Sequence, residues 1–161
     1  MICVTGTPGT GKSTLMEKMK RKGLDAHEFD EIIGQCISSQ DGDEAIVDEK
    51  CLRKIKETGI YFGHLSHYAQ CDLVIVLRAH LSNIESRLAE RGYSRSKIMD
   101  NIECEAIDLI GEEAFSIHPA STHEIINENI DETFELIEKI IRGEASKKEK
   151  IDLTEEILDW Y

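Results

Sequence analysis

Basic residues, proline and long apolar runs are all scarce in this chain of 161 residues. Nineteen Lys and Arg stand against 32 Asp and Glu, a formal net charge of −13. A surface that acidic repels phosphodiester backbones and anionic lipid, so neither direct nucleic-acid binding nor membrane association is expected. The longest purely aliphatic run, Leu73 to Leu77, falls far short of the ~20 residues that span a bilayer. The start, Met1-Ile2-Cys3-Val4, has no basic flank and runs into a Gly-rich stretch, unlike a secretory leader. The five cysteines, Cys3, Cys36, Cys51, Cys71 and Cys104, are scattered, odd in number and without a C-x-x-C pair. That pattern predicts reduced thiols in a cytoplasmic protein, with neither a disulfide framework nor a structural zinc. With 40% hydrophobic and 32% charged residues, the composition is that of a globular domain, and its length suits one domain over 1–161.

Only Pro8 and Pro119 interrupt the chain, and there is no repeat or low-complexity linker. Met1 to Val4 reads as a buried strand, Lys12 to Lys22 as a helix stopped by Gly23, and Ala26 to Phe29 as a short strand. Asp30 to Asp48 is acidic and weakly patterned. Helical spacing returns near Glu49 to Glu57, and Ile60 to Phe62 reads as a third strand. The β-branched run Leu73 to Leu77 predicts a central parallel strand covered on both faces. Leu81, Ile84 and Leu88 follow at helical spacing, as do Ile98, Ile102, Ile107 and Ile110. A last strand at His123 to Asn127 and a last helix at Ile130 to Ile141 complete the pattern. Lys147 to Lys150 reads as a solvated link to a terminal segment ending in Trp160-Tyr161. Alternating strands and helices predict an α/β fold with a parallel sheet of about five strands flanked by helices.

The segment with the strongest chemical signature is Gly6-Thr7-Pro8-Gly9-Thr10-Gly11-Lys12-Ser13. It matches G-x-x-x-x-G-K-[ST] between a predicted strand and a predicted helix, the context in which that motif cradles nucleotide phosphates. Its glycines let consecutive N–H groups turn toward phosphate oxygens, and the helix N-terminus adds partial positive charge. In this reading Gly9, Thr10, Gly11, Lys12, Ser13 and Thr14 bind ATP. Lys12 neutralises the β and γ phosphates, the Ser13 hydroxyl ligates Mg²⁺, and Thr14 reaches an α-phosphate oxygen.

No Asn-Lys-x-Asp segment that would select guanine is present, and the chain is short for a motor. After the fourth strand come Arg78, Arg87, Arg91, Arg95 and Lys97, and Arg87 and Arg91 share a helical face. In an acidic protein this cluster reads as a clamp on transferring phosphoryl groups, which points to a small-molecule kinase.

Thr5 to Thr14, Val76-Leu77-Arg78, Arg87-Leu88-x-x-Arg91-Gly92-Tyr93 and Asp100-Asn101-Ile102-x-Cys104-Glu105 together resemble the adenylate kinase isoenzyme 6 family. These are small P-loop proteins that include a yeast ribosome-assembly factor and archaeal homologues. The resemblance runs from residue 2 to about Ile141, and R-G-Y followed by D-N-I-x-C-E is its specific part. It implies a nucleoside monophosphate kinase-like fold and transfer of the ATP γ-phosphate to AMP or a related monophosphate, with ATPase activity. It also implies a lid at about 90–100, a monophosphate-binding region at about 28–47, and Arg91 as a lid contact to ATP. A role in small ribosomal subunit maturation and rRNA processing, through a small-subunit ribosomal protein, belongs to the same implication. So does an adenine passing near Thr122 and His123.

The family carries an acid two positions before a His at the end of its third strand; here the stretch is Tyr61-Phe62-Gly63-His64. The His remains, and His64 is expected to orient a water or touch a phosphate. The acid is replaced by Phe62, leaving Mg²⁺ to Ser13, water and an acid such as Asp30 or Glu31. No Arg lies between Arg21 and Arg53, so the acceptor region lacks the usual phosphate fork. Those two departures suit an alternative, an ATPase assembly factor; a kinase of another small metabolite is a third reading. His64 and His67, lacking a third ligand nearby, are not read as a metal site.

Overall fold

A computed structural model describes residues 1–42 and 44–161; residue 43, inside the expected monophosphate-binding region, lies outside the described residues. Five parallel strands form the sheet: β1 (Ile2–Thr5), β2 (Ala26–Glu28), β5 (Ile60–Phe62), β6 (Leu73–Arg78) and β7 (Thr122–Ile126). Their order is β2-β5-β1-β6-β7. Between β2 and β5 lie an antiparallel hairpin, β3 (Ile37–Asp41) and β4 (Glu44–Val47), and one helical turn, α2 (Glu49–Leu52). The other helices are α1 (Lys12–Arg21), α3 (Leu81–Glu90), α4 (Arg95–Ala106), α5 (Leu109–Ile117) and α6 (Ile130–Ile141).

Strand β6 shows why the layers form. Its side chains alternate, Ile75 and Leu77 facing α1 and α6 while Val74 and Val76 face the side of α5. All four are fully buried. At roughly 1.5–3 kcal/mol per buried aliphatic side chain, such a strand anchors both faces. A third apolar cluster joins α3 and α4 through Leu81, Ile84, Leu88, Ile98 and Ile102. Trp160 packs on that cluster, and Arg95 lies over its ring, so the terminal segment docks through Trp160 while Tyr161 stays exposed. Ser94 caps α4 by accepting from the Lys97 amide, and Asn129 caps α6 by accepting from Asp131 and Glu132.

Four local expectations need correction. The acidic stretch at 37–47 is a hairpin whose described side chains are almost all exposed, so it carries no inward apolar periodicity to read. The helix expected over 49–57 is a single turn. The helical run through Ile98 to Ile110 breaks at Asp108, which adopts a left-handed φ of 55°. Finally, Cys3 is bonded to Cys71 and Cys36 to Cys51, leaving Cys104 as the free cysteine. Cys71 precedes β6, which pairs with the strand holding Cys3, so the sheet brings together thiols 68 residues apart.

Candidate functional site

Gly6 to Lys12 joins β1 to α1 at the carboxyl ends of the parallel strands, on the edge where open α/β sheets bind ligands. Two glycines there have no substitute. A Cβ on Gly6 would lie 2.4 Å from the Leu77 carbonyl oxygen, and one on Gly11 would lie 2.3 Å from Asn127 Nδ2, with φ at +142° and +99°. Helix α1 starts from Gly11 without a side-chain cap, and its first in-helix bond is Leu15 N–H to the Gly11 carbonyl. The amides of Lys12, Ser13 and Thr14 precede that bond and are available to an anion.

Lys12 Nζ donates to the carbonyls of Gly6 (2.6 Å) and Thr7 (2.9 Å). Burial lowers its pKa to about 8; Glu105 and Glu28 oppose the shift, and Arg91 adds to it. Ser13 and Thr14 are exposed on the first turn of α1. The Thr10 hydroxyl donates to the Thr7 carbonyl at 2.9 Å, closing the loop on itself.

Two cavities flank this loop. The first, about 550 Å³, is lined by Gly11, Thr14, Arg87, Arg91, Asn127 and Ile130 among others. Arg87 donates to the Gly9 carbonyl at 2.7 Å, and Asn127 Nδ2 donates to that of Thr10 at 2.9 Å. The second, about 660 Å³, has Pro8, Asp30, Val47, His64, Tyr93 and Lys97 in its wall. Burial and the charge of Lys12 lower the His64 pKa, partly opposed by Asp30, so its ring is neutral near pH 7. The expected site residues Gly9, Thr10, Gly11, Lys12, Ser13, Thr14, His64 and Arg91 thus gather around one loop.

Other expectations do not hold. Arg78 is no phosphate clamp: it is 1% exposed and surrounded by Glu105 (2.9 Å), Asp108 (2.8 Å) and Glu124 (3.3 Å). Arg95 pairs with Glu85. Thr122 and His123 begin β7, at the far end from the loop, because every strand of this sheet runs parallel; Asn127, just past the carboxyl end, reaches the first cavity. Phe62 is 1% exposed in the core. Its register partner on β2 is Glu28, an acid that acts on Lys12 and whose own pKa burial raises, helped by Asp30. His67 sits 3.0 Å from both Thr5 Oγ1 and Glu113 Oε2, which engages both ring nitrogens structurally.

For Mg²⁺, the fit rests on the donor set. Among the described residues no cluster of three His, Cys, Asp or Glu side chains would hold a metal. A hydroxyl at Ser13 beside a phosphate cradle matches an ion that keeps several waters and takes the rest of its shell from phosphates.

Sequence reading missed Glu28, Asn127 and the contact of Glu105 with the loop. Asn127 and Glu105 reach it across 117 and 98 residues, with no local motif to mark the meeting.

The family described as an AAA domain matches residues 2–108. Two archaeal proteins, both named "Putative adenylate kinase", are similar over most of the chain. That of Archaeoglobus fulgidus is 37% identical, covering 99% of this chain and 94% of its own. That of Methanothermobacter thermautotrophicus is 39% identical, covering 78% of each. Among solved structures, deoxyadenosine kinase from M. mycoides with bound dATP aligns with a TM-score of 0.51 at 18% identity. It covers 88% of this chain and 98% of that one, and shows likeness of fold. With its phosphate loop between β1 and α1, and relatives of this identity along its length, the chain belongs to the adenylate kinase-like family of P-loop proteins.

Proposed function

We propose that the protein is an ATP-dependent nucleoside monophosphate kinase of the isoenzyme 6 branch, passing the ATP γ-phosphate to AMP or a related monophosphate and hydrolysing ATP more slowly. The observation that carries this reading is the pair of separate cavities that each take part of their wall from one phosphate loop, Gly11 in the first and Pro8 in the second, one for a donor and one for an acceptor.

In this mechanism the loop amides and Lys12 hold the β and γ phosphates, and Thr14 reaches the α-phosphate. Arg91, at the end of α3, closes over the donor. Ser13 would hold Mg²⁺, which would supply neutralisation of charge on the transferring phosphoryl group. The second cavity takes the acceptor, between the region at 28–47 and the lid at 90–100. Lys97 offers a cation in the wall of that cavity, where the segment between Arg21 and Arg53 supplies no Arg. An acceptor phosphate oxygen attacks the γ-phosphorus in line, and the bond to the β–γ bridging oxygen breaks. Neutral His64 orients the attacking oxygen or, without acceptor, a water. Lid closure excludes that water, and the rate comes from alignment and charge stabilisation.

A second reading, an ATPase assembly factor acting on a small-subunit ribosomal protein, is favoured by one feature: Phe62 fills with hydrocarbon the place of the family's acid. A cytoplasmic location accompanies either reading; no described helix is long and apolar enough to cross a membrane. ADP formation from Mg·ATP, alone and with each nucleoside monophosphate, separates the two. A large monophosphate-dependent rise supports the kinase, whereas equal slow hydrolysis in every tube supports the ATPase.

A further inference from the structure

The carboxylate of Glu105, 2% exposed on the last turn of α4, is fully engaged. Its Oε2 accepts from the hydroxyl of Thr7 at 2.5 Å, and its Oε1 accepts from Arg78 Nε at 2.9 Å and the Ala79 amide at 3.0 Å. Arg78 also donates to the Glu105 carbonyl at 2.7 Å. Thr7 is itself 2% exposed, and its carbonyl accepts from both Lys12 Nζ and the Thr10 hydroxyl. One carboxylate therefore ties the end of β6 to the residue on which Lys12 rests. Lys97 near the start of α4 and Asn101 at its middle lie in the wall of the second cavity.

We propose that Glu105 is a positioning residue for ATP binding, fixing Thr7 and through it Lys12, so that the helix walling the acceptor cavity also sets the phosphate loop. The inference rests on the loop's being a nucleotide site, as proposed above. Glu105 does not touch substrate; it acts through the geometry of Thr7, on whose carbonyl Lys12 rests.

The test is ATP binding by calorimetry on folded protein, for wild type, Thr7→Val, Thr7→Ser, Glu105→Gln and the double variant of Thr7→Val with Glu105→Gln. A hydrogen bond to a charged group predicts about tenfold weaker binding for Thr7→Val. Thr7→Ser should restore binding, and the double variant should bind no more weakly than the weaker single variant. Wild-type affinity in folded Thr7→Val, or multiplying losses in the double variant, would overturn the proposal. If Glu105→Gln does not fold, the Thr7→Val and Thr7→Ser pair decides. A wild-type protein that binds no ATP would overturn the nucleotide-site reading as well, which marks that failure apart from the others.

Discussion

The side-chain amide of Asn127 stands where a Cβ on Gly11 would have to go, while donating to the carbonyl of Thr10 at 2.9 Å. The first helical turn of the phosphate loop is thus fitted against the segment that follows β7. Gly11→Ala combines that clash with a φ of +99° that L side chains rarely adopt. ATP affinity should fall by at least tenfold, by the measure of a lost charge-assisted site. Isothermal titration with Mg·ATP checks this, and an unchanged Kd would show that the loop adjusts freely.

Arg91 and Arg95 are exposed and close in sequence but differ in surroundings. Arg91 lines the first cavity and bears on Lys12, while Arg95 pairs with Glu85 beside Trp160. Arg91→Ala should lower phosphoryl transfer by about a hundredfold or more, in the range for removing a positioned charge donor. Arg95→Ala should change the rate less than about twofold, as befits a surface pair. Equal effects in steady-state kinetics would remove Arg91 from the site.

Asp108 combines a left-handed backbone with a carboxyl whose pKa is raised to about 8, by burial first and then by its bond to Glu124, against the pull of Arg78. The unfolded chain releases this proton near the ordinary aspartate value of 3.8, and the folded protein retains it until about 8. The stability it contributes is therefore complete below about 4 and declines as pH rises toward about 8, by an amount on the order of a few kcal/mol. Asp108→Asn keeps the neutral form and a residue that tolerates αL. Its melting temperature should exceed that of the wild type more at pH 8 than at pH 5. A gain that does not depend on pH would refute the raised pKa of Asp108.

The legible parts of this molecule are those carried by neighbouring residues. Gly6 to Ser13 spells out the phosphate cradle in eight consecutive positions, and Leu73 to Leu77 announces a doubly covered strand. Arg78 misleads for a physical reason: a cation following a strand resembles a phosphate ligand until the carboxylates that surround it, 27 to 46 residues away, are brought in. The hairpin at 37–47 is silent because neither face is buried. The cysteine pairs are silent because strand register and a turn, rather than spacing, unite them. Glu105 was visible within D-N-I-x-C-E, but its bond to Thr7 belongs to the tertiary structure.

The most direct measurement is the rate of ADP formation from Mg·ATP with and without AMP, for wild type beside Lys12→Ala. The proposed kinase predicts a large AMP-dependent rate in the wild type and none in a variant that remains folded by circular dichroism. An AMP-independent rate would contradict monophosphate transfer, and normal turnover in folded Lys12→Ala would contradict the phosphate-loop site itself.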